Sequence, residues 1–316
     1  MPALYRKLIF PLLTLPEPEA SHELALRALA RAPIPRRWLA VDDPRLHVSA
    51  FGLKFRNPVG LAAGFDKNGI AARGLAALGF GHVEIGTVTP RPQSGRPKPR
   101  LFRLKQDQAL VNRLGFPSMG ADAVDRKLER LARRDFVLGA NVGPNAGSVG
   151  IEDFVAAARI LASHVDYLTV NVSSPNTAGL RDMQQTGLLA ELLQALAPLD
   201  GPLLVKIAPD LTDEQLAGML DVILVHNVAG VVATNTTVER PANLRSPGAA
   251  ETGGLSGRPL RDRSTKVVAF IYRHTGGKLP IVAAGGVATA QDALAKLQAG
   301  ACLVQLYTGF VYEGPF

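Results

Sequence analysis

Two adjacent serines stand directly after an apolar segment of the sequence. The segment covers 167–172, and Ser173 and Ser174 follow it, with Asn176 two residues further on. A serine at the end of a buried strand can act as a nucleophile or a base, or it can cap a helix. Neither serine lies in a G-x-S-x-G sequence, the strand-to-helix turn of serine hydrolases. The nucleophile interpretation is therefore disfavoured, and the other two stay open from spacing alone.

A lysine and three asparagines occupy comparable positions in other apolar segments. Lys206 lies inside "PLLVKIA", where a buried ammonium group is costly unless it meets an anion. A structural salt bridge would also satisfy it, but no acidic residue stands at the neighbouring segment ends, which favours a bound anion. Asn141, Asn171 and Asn235 each end an apolar segment. Each alone is a common turn residue, whereas three together predict a hydrogen-bonding surface for a planar ligand.

Two glycines, Gly285 and Gly286, end a further apolar segment, and Thr308 ends the last one. Glycine lets a backbone approach an anion closely, and parallel barrels commonly bind a phosphate after their seventh and eighth strands. A tight turn without a ligand would use the same glycines. The pairing of the two segments favours the phosphate site.

Eight short apolar segments, separated mostly by segments of helical periodicity, must position these residues. They cover 58–64, 82–88, 136–143, 167–173, 202–208, 230–236, 280–286 and 302–308. Their near-continuous hydrophobicity is typical of strands buried on both faces of a parallel sheet. The series predicts an α/β fold, a (β/α)8 TIM barrel, with its site at the carboxyl ends of the strands. The sequence has no Rossmann or Walker glycine motif.

Two segments fall outside this repeat. Residues 1–40 predict two short helices, and we divide the chain into this N-terminal arm and a barrel domain over 41–316. A leucine stripe flanked by arginines fits either an interfacial membrane helix or an arm packed on the barrel. The arm begins like a signal peptide, but prolines interrupt it and no cleavage site follows. Residues 90–116 are too long for a simple barrel loop and predict a lid or binding loop.

Composition narrows the possible partners. The formal net charge of +8 indicates an anionic partner, which could be nucleic acid, a membrane surface or a phosphorylated ligand. No basic helix interleaved with aromatic residues is present, so nucleic acid is not predicted.

The six histidines lack metal-ligand spacing, so no metal is predicted. With Cys302 as the single cysteine, no disulfide framework is possible. No segment is apolar over the length that a spanning helix needs.

Several of these segments also carry recognisable motifs in a fixed order. They include "NPVGLAAGFDKNG", "EIGTVTPRPQSGRPKPRLFRL", "NRLGF", "NVSSPNT", "VKIAPD", "AAGGV" and "LVQLYTGF". From about residue 5 to residue 316 the chain resembles dihydroorotate dehydrogenase of the second, quinone-linked, membrane-associated class. The resemblance implies an FMN-containing barrel that oxidises dihydroorotate to orotate in pyrimidine synthesis, with one FMN per subunit and a membrane quinone as acceptor. The alternative within enzymes is a soluble FMN barrel that uses fumarate or NAD.

The resemblance also implies roles for individual residues. Ser174 would be the catalytic base, Thr177 would take part in the proton relay, and Lys67 would pair with the substrate carboxylate. The residues implied for FMN are Ala63, Gly64, Lys67, Thr87, Asn141, Asn171, Lys206, Thr234, Gly257, Gly286, Tyr307 and Thr308. The residues implied for the substrate are Lys67, Asn112, Arg113, Leu114, Gly115, Phe116, Asn171, Asn176, Asn235 and Thr236.

For the N-terminal arm, the resemblance implies a quinone tunnel beside His22, Arg103 and Tyr307. Arg36 and Arg37 would then meet lipid phosphates. We expect a monomer bound peripherally to the cytoplasmic face of a bacterial plasma membrane. The family continues past "GP" at 314–315 into a further barrel helix, so we expect that final helix to be missing from this chain.

Overall fold

A closed barrel of eight parallel strands forms the centre of the molecule, as seen in a computed structural model that describes residues 5–32, 34–35, 39–131, 134–147 and 149–315. The barrel strands, in their order around the barrel, are β3 (Val59–Leu61), β4 (His82–Val88), β7 (Val137–Val142), β8 (Tyr167–Asn171), β9 (Leu203–Ile207), β10 (Gly230–Ala233), β12 (Ile281–Ala284) and β13 (Leu303–Leu306). Neighbouring strands pair in parallel register around the closed circle. The predicted (β/α)8 fold is confirmed, and each predicted segment contains one strand.

Helices cover the outside of the barrel and bury the apolar residues on the outer faces of the strands. They are α3 (Ala72–Ala77), α4 (Ala121–Leu128), α5 (Ile151–Leu161), α6 (Thr186–Leu196), α7 (Asp213–Val225), α8 (Arg261–His274), α9 (Ala290–Gln298) and α10 (Thr308–Glu313). All residues of β4 and β8 are buried. Thr212 caps α7 in a capping box with Gln215. The apolar core between strands and helices fixes the carboxyl ends of the strands as one rigid rim.

The N-terminal arm packs against this barrel. A π-helical turn (Tyr5–Ile9) continues into α1 (Phe10–Leu13), and α2 covers Pro18–Arg31. Helix α2 starts at Pro18, because the Glu17 side chain accepts from the backbone N–H of residues 19 and 20 and so caps the helix. Leu26 is buried in the barrel core cluster. The predicted lipid contacts of Arg36 and Arg37 lie outside the described residues.

The long insertion at 90–116 forms a small sheet rather than an irregular loop. Strands β5 (Leu101–Leu104) and β6 (Ala109–Asn112) pair antiparallel, and β6 also pairs with β11 (Gly254–Gly257). This three-stranded sheet covers part of the carboxyl rim, since Leu101, Leu110 and Ser256 line the cavity there. A short hairpin, β1 (Val48–Ala50) and β2 (Leu53–Phe55), precedes the barrel and packs its own apolar cluster on the amino ends of the strands.

Candidate active site

A cavity with about 1070 Å³ of empty space, part of it open to solvent, lies at the carboxyl ends of the barrel strands. Nearly all of the residues that the sequence predicts for a site line it. They are Ala63, Gly64, Lys67, Thr87, Asn112, Leu114, Gly115, Phe116, Asn171, Ser174, Asn176, Lys206, Thr234, Asn235, Thr236, Gly257, Gly286, Tyr307 and Thr308. Strand ends far apart in the chain thus meet around one space.

Three predicted residues lie off this cavity. Asn141 lies one layer beneath it and bonds to the lining residues Thr87 and Asn171. The Arg113 side chain forms an ion pair with Glu251 at 2.6 Å and stacks over an aromatic ring of the small sheet. Thr177 lines a separate neighbouring space beside Arg96 and Gly115. The Arg113 guanidinium group thus points to Glu251, and the predicted contact of this residue with the substrate stays a prediction.

The floor of the cavity is a directional network of amide and hydroxyl groups. The Thr87 hydroxyl donates to Asn141 Oδ1 at 2.6 Å, and Asn171 Nδ2 donates to Thr87 Oγ1 at 2.9 Å. Asn171 Oδ1 accepts from Ser173 Oγ at 3.1 Å and from Asn235 Nδ2 at 3.2 Å. Each group has a fixed role as donor or acceptor. Such a layer recognises a planar molecule with several heteroatoms.

An acidic residue that the sequence reasoning overlooked lies under this network. Glu84 on β4 is fully buried and accepts from Asn141 Nδ2 at 3.0 Å, Gln305 Nε2 at 2.8 Å and the Tyr167 hydroxyl at 3.2 Å. Its charge acts on Lys206, whose pKa burial lowers and Glu84 partly restores. The sequence analysis considered only the ends of the neighbouring segments, so it did not include Glu84 among the charges near Lys206. A glutamate in the middle of the apolar segment "HVEIGTV" was the available signal.

Lys206 nevertheless has unused hydrogen-bonding capacity. The lysine is buried and lines the cavity, yet within the described part of the chain its ammonium group donates no hydrogen bond to the protein. Two further polar atoms, Thr236 Oγ1 and Gln305 Oε1, are buried without a partner and belong to residues of the same lining. Buried polar groups are normally paired. The Lys206 ammonium group, which needs partners and lines the cavity, therefore fits a polar or anionic ligand.

The opposite side of the cavity is built from glycines and a hydroxyl. A Cβ on Gly257 would lie 2.4 Å from a backbone oxygen and 2.8 Å from the Thr308 side chain, and a Cβ on Gly286 would lie 2.3 Å from Arg261 Cα. Gly257 and Gly286 also have positive φ angles of 92° and 74°. Only glycine fits this cradle, and its backbone N–H groups and Thr308 suit a phosphate. The residues present therefore fit a phosphorylated cofactor of the FMN type.

Lys67 and Ser174 approach the cavity from its loop side. Lys67 Nζ donates to Gly64 O at 2.7 Å, and burial lowers the pKa of its ammonium group to about 8 although Glu19 opposes that shift. Ser174 is buried, and its Oγ accepts from the backbone N–H of Asn176 at 3.3 Å. Asn176 Nδ2 in turn donates to Asn112 at 3.1 Å. A cation and a hydroxyl thus face the same space.

A second cavity, with about 1040 Å³ of empty space, lies between the N-terminal arm and the barrel. Its lining is mainly apolar and includes the three predicted quinone-tunnel residues. The apolar lining residues include Phe10, Leu13, Ala25, Ala28, Leu29, Phe65, Leu78, Phe310 and Val311. Leu101, Leu110 and Tyr307 line both cavities, so they form a shared wall.

Two polar side chains of this second cavity, His22 and Arg103, already form hydrogen bonds with backbone oxygens of the protein. His22 Nε2 contacts Phe65 O at 2.7 Å, and burial lowers the pKa of its imidazole to about 4, so the ring is neutral and Nε2 donates. Arg103 donates to backbone oxygens of the arm, at 3.1 Å to Pro16 and 3.3 Å to Leu13. The cavity therefore suits an apolar molecule with a few hydrogen-bonding groups.

Neither a metal centre nor a membrane span is found in the described ranges. No group of three or more histidine, cysteine, aspartate or glutamate side chains there is arranged to hold a metal ion. No helix of the described residues is long and apolar enough to cross a bilayer.

The protein is a (β/α)8 barrel with a polar, phosphate-compatible site on its carboxyl rim. An apolar cavity lies behind a wall that the two cavities share. These features fit the class of barrel oxidoreductases that have separate sites for two reactants. The family model described as "Dihydroorotate dehydrogenase" matches residues 45–316. The chain belongs to the dihydroorotate dehydrogenase family, and within it to the quinone-linked class.

Two relatives and one solved structure illustrate the similarity. A "Dihydroorotate dehydrogenase (quinone)" of Thermosynechococcus vestitus is 50% identical over 294 residues, covering 89% of this chain and 80% of the relative. The mitochondrial "Dihydroorotate dehydrogenase (quinone)" of Mus musculus is 48% identical over 331 residues, covering 100% and 82%. The structure of the Eimeria tenella enzyme in complex with ferulenol has a TM-score of 0.91 at 42% identity, covering 98% and 91% of the two chains.

Proposed function

We propose that the protein oxidises dihydroorotate to orotate through a bound FMN and passes the electrons to a membrane quinone, in the synthesis of pyrimidines. The single observation that carries this proposal is the wall of Leu101, Leu110 and Tyr307 between a polar and an apolar cavity. A cofactor in the polar cavity would lie against that wall. An apolar acceptor on its other side would be close enough for electron transfer and separate from the substrate.

The polar cavity offers matching groups for each part of FMN. Gly257, Gly286 and Thr308 would hold the phosphate through N–H and hydroxyl donors. Lys206 would face the isoalloxazine ring, where its unpaired ammonium group stabilises negative charge. Thr87 and Asn171 supply polar contacts from the floor. When bound, FMN supplies a hydride acceptor that can also reduce a quinone.

The substrate would lie between the flavin and the loop side of the cavity. Lys67, with a pKa of about 8, is mainly protonated at neutral pH and would pair with the substrate carboxylate. Asn112, Asn171, Asn176 and Asn235 would bond to the pyrimidine ring. Thr236 belongs to the same lining and would complete this side of the substrate site.

Ser174 would take the proton from C5 of the substrate. A serine hydroxyl is a weak base, so its Oγ must pass a proton onward as it receives one. Thr177 lies three residues later and lines the separate space beside Arg96. That arrangement would carry the proton from Ser174 Oγ toward solvent. Burial of Ser174 keeps bulk water from the reacting carbon.

The arm would bring the apolar cavity to a membrane surface. Leu8, Leu12, Leu15 and Leu24 are exposed on it although they are large and apolar. Exposed leucines on short helices next to an apolar cavity suit insertion into the interface of a bilayer. We infer peripheral binding of a monomer at the cytoplasmic face of a bacterial plasma membrane, with quinone entering between α1 and α2.

Acceptor preference tests this proposal. The purified protein should release FMN on denaturation, and with dihydroorotate it should reduce a short-chain quinone much faster than fumarate or NAD. A protein that carries no flavin and cannot be reconstituted with FMN would contradict the proposal. Equal or faster rates with fumarate or NAD would contradict the choice of acceptor.

A further inference from the structure

A buried lysine outside the cavity lies directly behind the glycine cradle. Lys296 on α9 is fully buried, and its Nζ donates to Arg261 O at 3.0 Å, to Thr265 Oγ1 at 2.8 Å and to Ser264 Oγ. These three acceptors match the three protons of an ammonium group. All three belong to the first turn of α8. None of the roles described above uses this lysine.

The contacts of Lys296 determine which oxygen atom accepts the hydrogen bond of the Ser264 hydroxyl group. Because Arg261 O already accepts from Lys296 and from Thr265 Oγ1, the Ser264 hydroxyl is left to donate to Gly285 O, at 2.8 Å. Its alternative acceptor, Arg261 O, is more distant at 3.3 Å. The lysine and the serine therefore form a relay that ends on the carbonyl group of Gly285.

The direction of the Gly285 carbonyl group also determines the direction in which the Gly286 N–H points. Gly285 C=O and Gly286 N–H belong to one planar peptide group and, in its trans form, point in opposite directions. Since Ser264 holds the carbonyl on the side of α8, the N–H of Gly286 points to the cavity that Gly286 lines. In the described part of the chain this N–H donates to no protein acceptor. It is available to a ligand.

Close packing supports the same conclusion. A Cβ on Gly285 would lie 3.0 Å from Ser264 Oγ, and a Cβ on Gly286 would lie 2.6 Å from the backbone nitrogen of Arg261. The two-glycine turn is thus pressed onto the first turn of α8, which Lys296 organises. A change at Lys296 would be transmitted to the turn without any contact to the cofactor itself.

We propose that Lys296 is a positioning residue for the phosphate subsite: through Ser264 it orients the Gly285–Gly286 peptide so that the Gly286 N–H donates to the cofactor phosphate. The proposal rests on the proposed binding of FMN in this cavity. It predicts that Lys296 matters for FMN and not for riboflavin, which has the same ring system without the phosphate.

The test compares variants of the holoprotein. FMN release after dilution is followed by flavin fluorescence, and the measurement is repeated on protein exchanged into riboflavin. Lys296→Met and Ser264→Ala should raise the FMN dissociation constant roughly 10- to 100-fold, the range for a lost hydrogen bond to a charged group. The riboflavin dissociation constant should change by less than about threefold, which is within the noise of one weak contact. Thr275→Val, which removes a buried hydroxyl that donates to Ile271 O at the opposite end of α8, is the matched control and should leave both constants unchanged.

The outcomes separate the possible explanations. An equal loss of FMN and riboflavin in Lys296→Met and Ser264→Ala would show a purely structural role and overturn the proposal. Unchanged FMN affinity in Ser264→Ala would overturn it as well, and this variant keeps the buried lysine if Lys296→Met fails to fold. A wild-type protein that binds no FMN would instead contradict the proposed function, so the two failures are distinguishable.

Discussion

Asn141 Nδ2 donates to the carboxylate of Glu84 at 3.0 Å, and this contact sets the direction of every hydrogen bond above it. A carboxylate only accepts, so the amide nitrogen of Asn141 must point down and its oxygen must point up to Thr87 and Asn171. The floor of the cavity thus takes its pattern of donors and acceptors from one buried acid. Any neutral replacement of that acid removes the constraint.

Glu84→Gln should therefore destabilise the protein despite its equal size. The new amide brings two protons toward Asn141 Nδ2, Gln305 Nε2 and the Tyr167 hydroxyl, so at least one buried donor loses its acceptor. The cost of such an unpaired group is about 1–3 kcal/mol. Urea denaturation should show this loss in the free energy of unfolding. A variant as stable as wild type would contradict the inferred direction of the network.

Ser174→Ala should separate binding from chemistry. Within the described part of the chain, Ser174 Oγ has one hydrogen-bond partner, the N–H of Asn176, so its removal leaves the amide floor intact and orotate should still perturb the flavin spectrum. Flavin reduction by dihydroorotate should slow by about 10²- to 10⁴-fold, the usual contribution of a general base. Anaerobic stopped-flow absorbance measures both. Reduction at the wild-type rate would exclude Ser174 as the base.

A bulky side chain in the second cavity should block the quinone alone. Ala25 lines that cavity, so Ala25→Trp should fill part of it and lower the rate of flavin reoxidation by quinone at least about tenfold, because overpacking excludes a ligand. Flavin reduction by dihydroorotate should stay unchanged. Arg27→Trp, at an exposed position of the same helix, is the matched control. A similar loss in both variants would argue against a quinone path through this cavity.

The attachment of the arm should depend on pH through one ion pair. Glu19 on α2 accepts two hydrogen bonds from Arg100, at 2.6 and 2.9 Å, and this contact lowers the pKa of its carboxyl group. A depressed pKa means that the stabilisation is present above the ordinary value of 4.5 and is lost as the pH falls through the folded-state pKa. Glu19→Gln should be less stable at pH 7 by about 3 kcal/mol, the lower end for breaking a buried pair.

The difference between wild type and Glu19→Gln should shrink as the pH falls below the ordinary value of 4.5 and through the lowered pKa of Glu19, where the wild-type carboxylate takes up a proton. We choose the lower end of the energy range because Arg100 keeps the carbonyl oxygens of Ser94 and Arg96 as acceptors. Chemical denaturation over a range of pH measures the difference directly. A constant difference at all pH values would show that the ion pair does not link the arm to the barrel.

The sequence predicts the barrel well because the strands are buried on both faces. Each strand therefore appears in the sequence as a nearly continuous apolar segment. It also predicts the cavity lining, since parallel strands bring their carboxyl ends to one rim: Asn171, Lys206 and Asn235 are far apart in the chain but line the same space. Single-chain patterns do not show which face of a strand a polar residue occupies. Glu84 was overlooked for that reason.

Other features depend on tertiary contacts that no local pattern contains. Arg113 belongs to a segment that lines the cavity, yet its guanidinium group turns to Glu251, 138 residues later. The insertion at 90–116 forms two strands only because β11 from a distant segment completes their sheet. The relay from Lys296 to Gly285 likewise joins α9, α8 and the end of β12. Each contact needs the closed barrel before it can form.

Anaerobic reduction and reoxidation of the bound flavin test the central claim most directly. Dihydroorotate added to the oxygen-free protein should abolish the absorbance of oxidised flavin, and a quinone added afterwards should restore it, while fumarate or NAD should restore it far more slowly. Persistence of the oxidised spectrum after addition of dihydroorotate, in protein shown to carry FMN, would contradict the account.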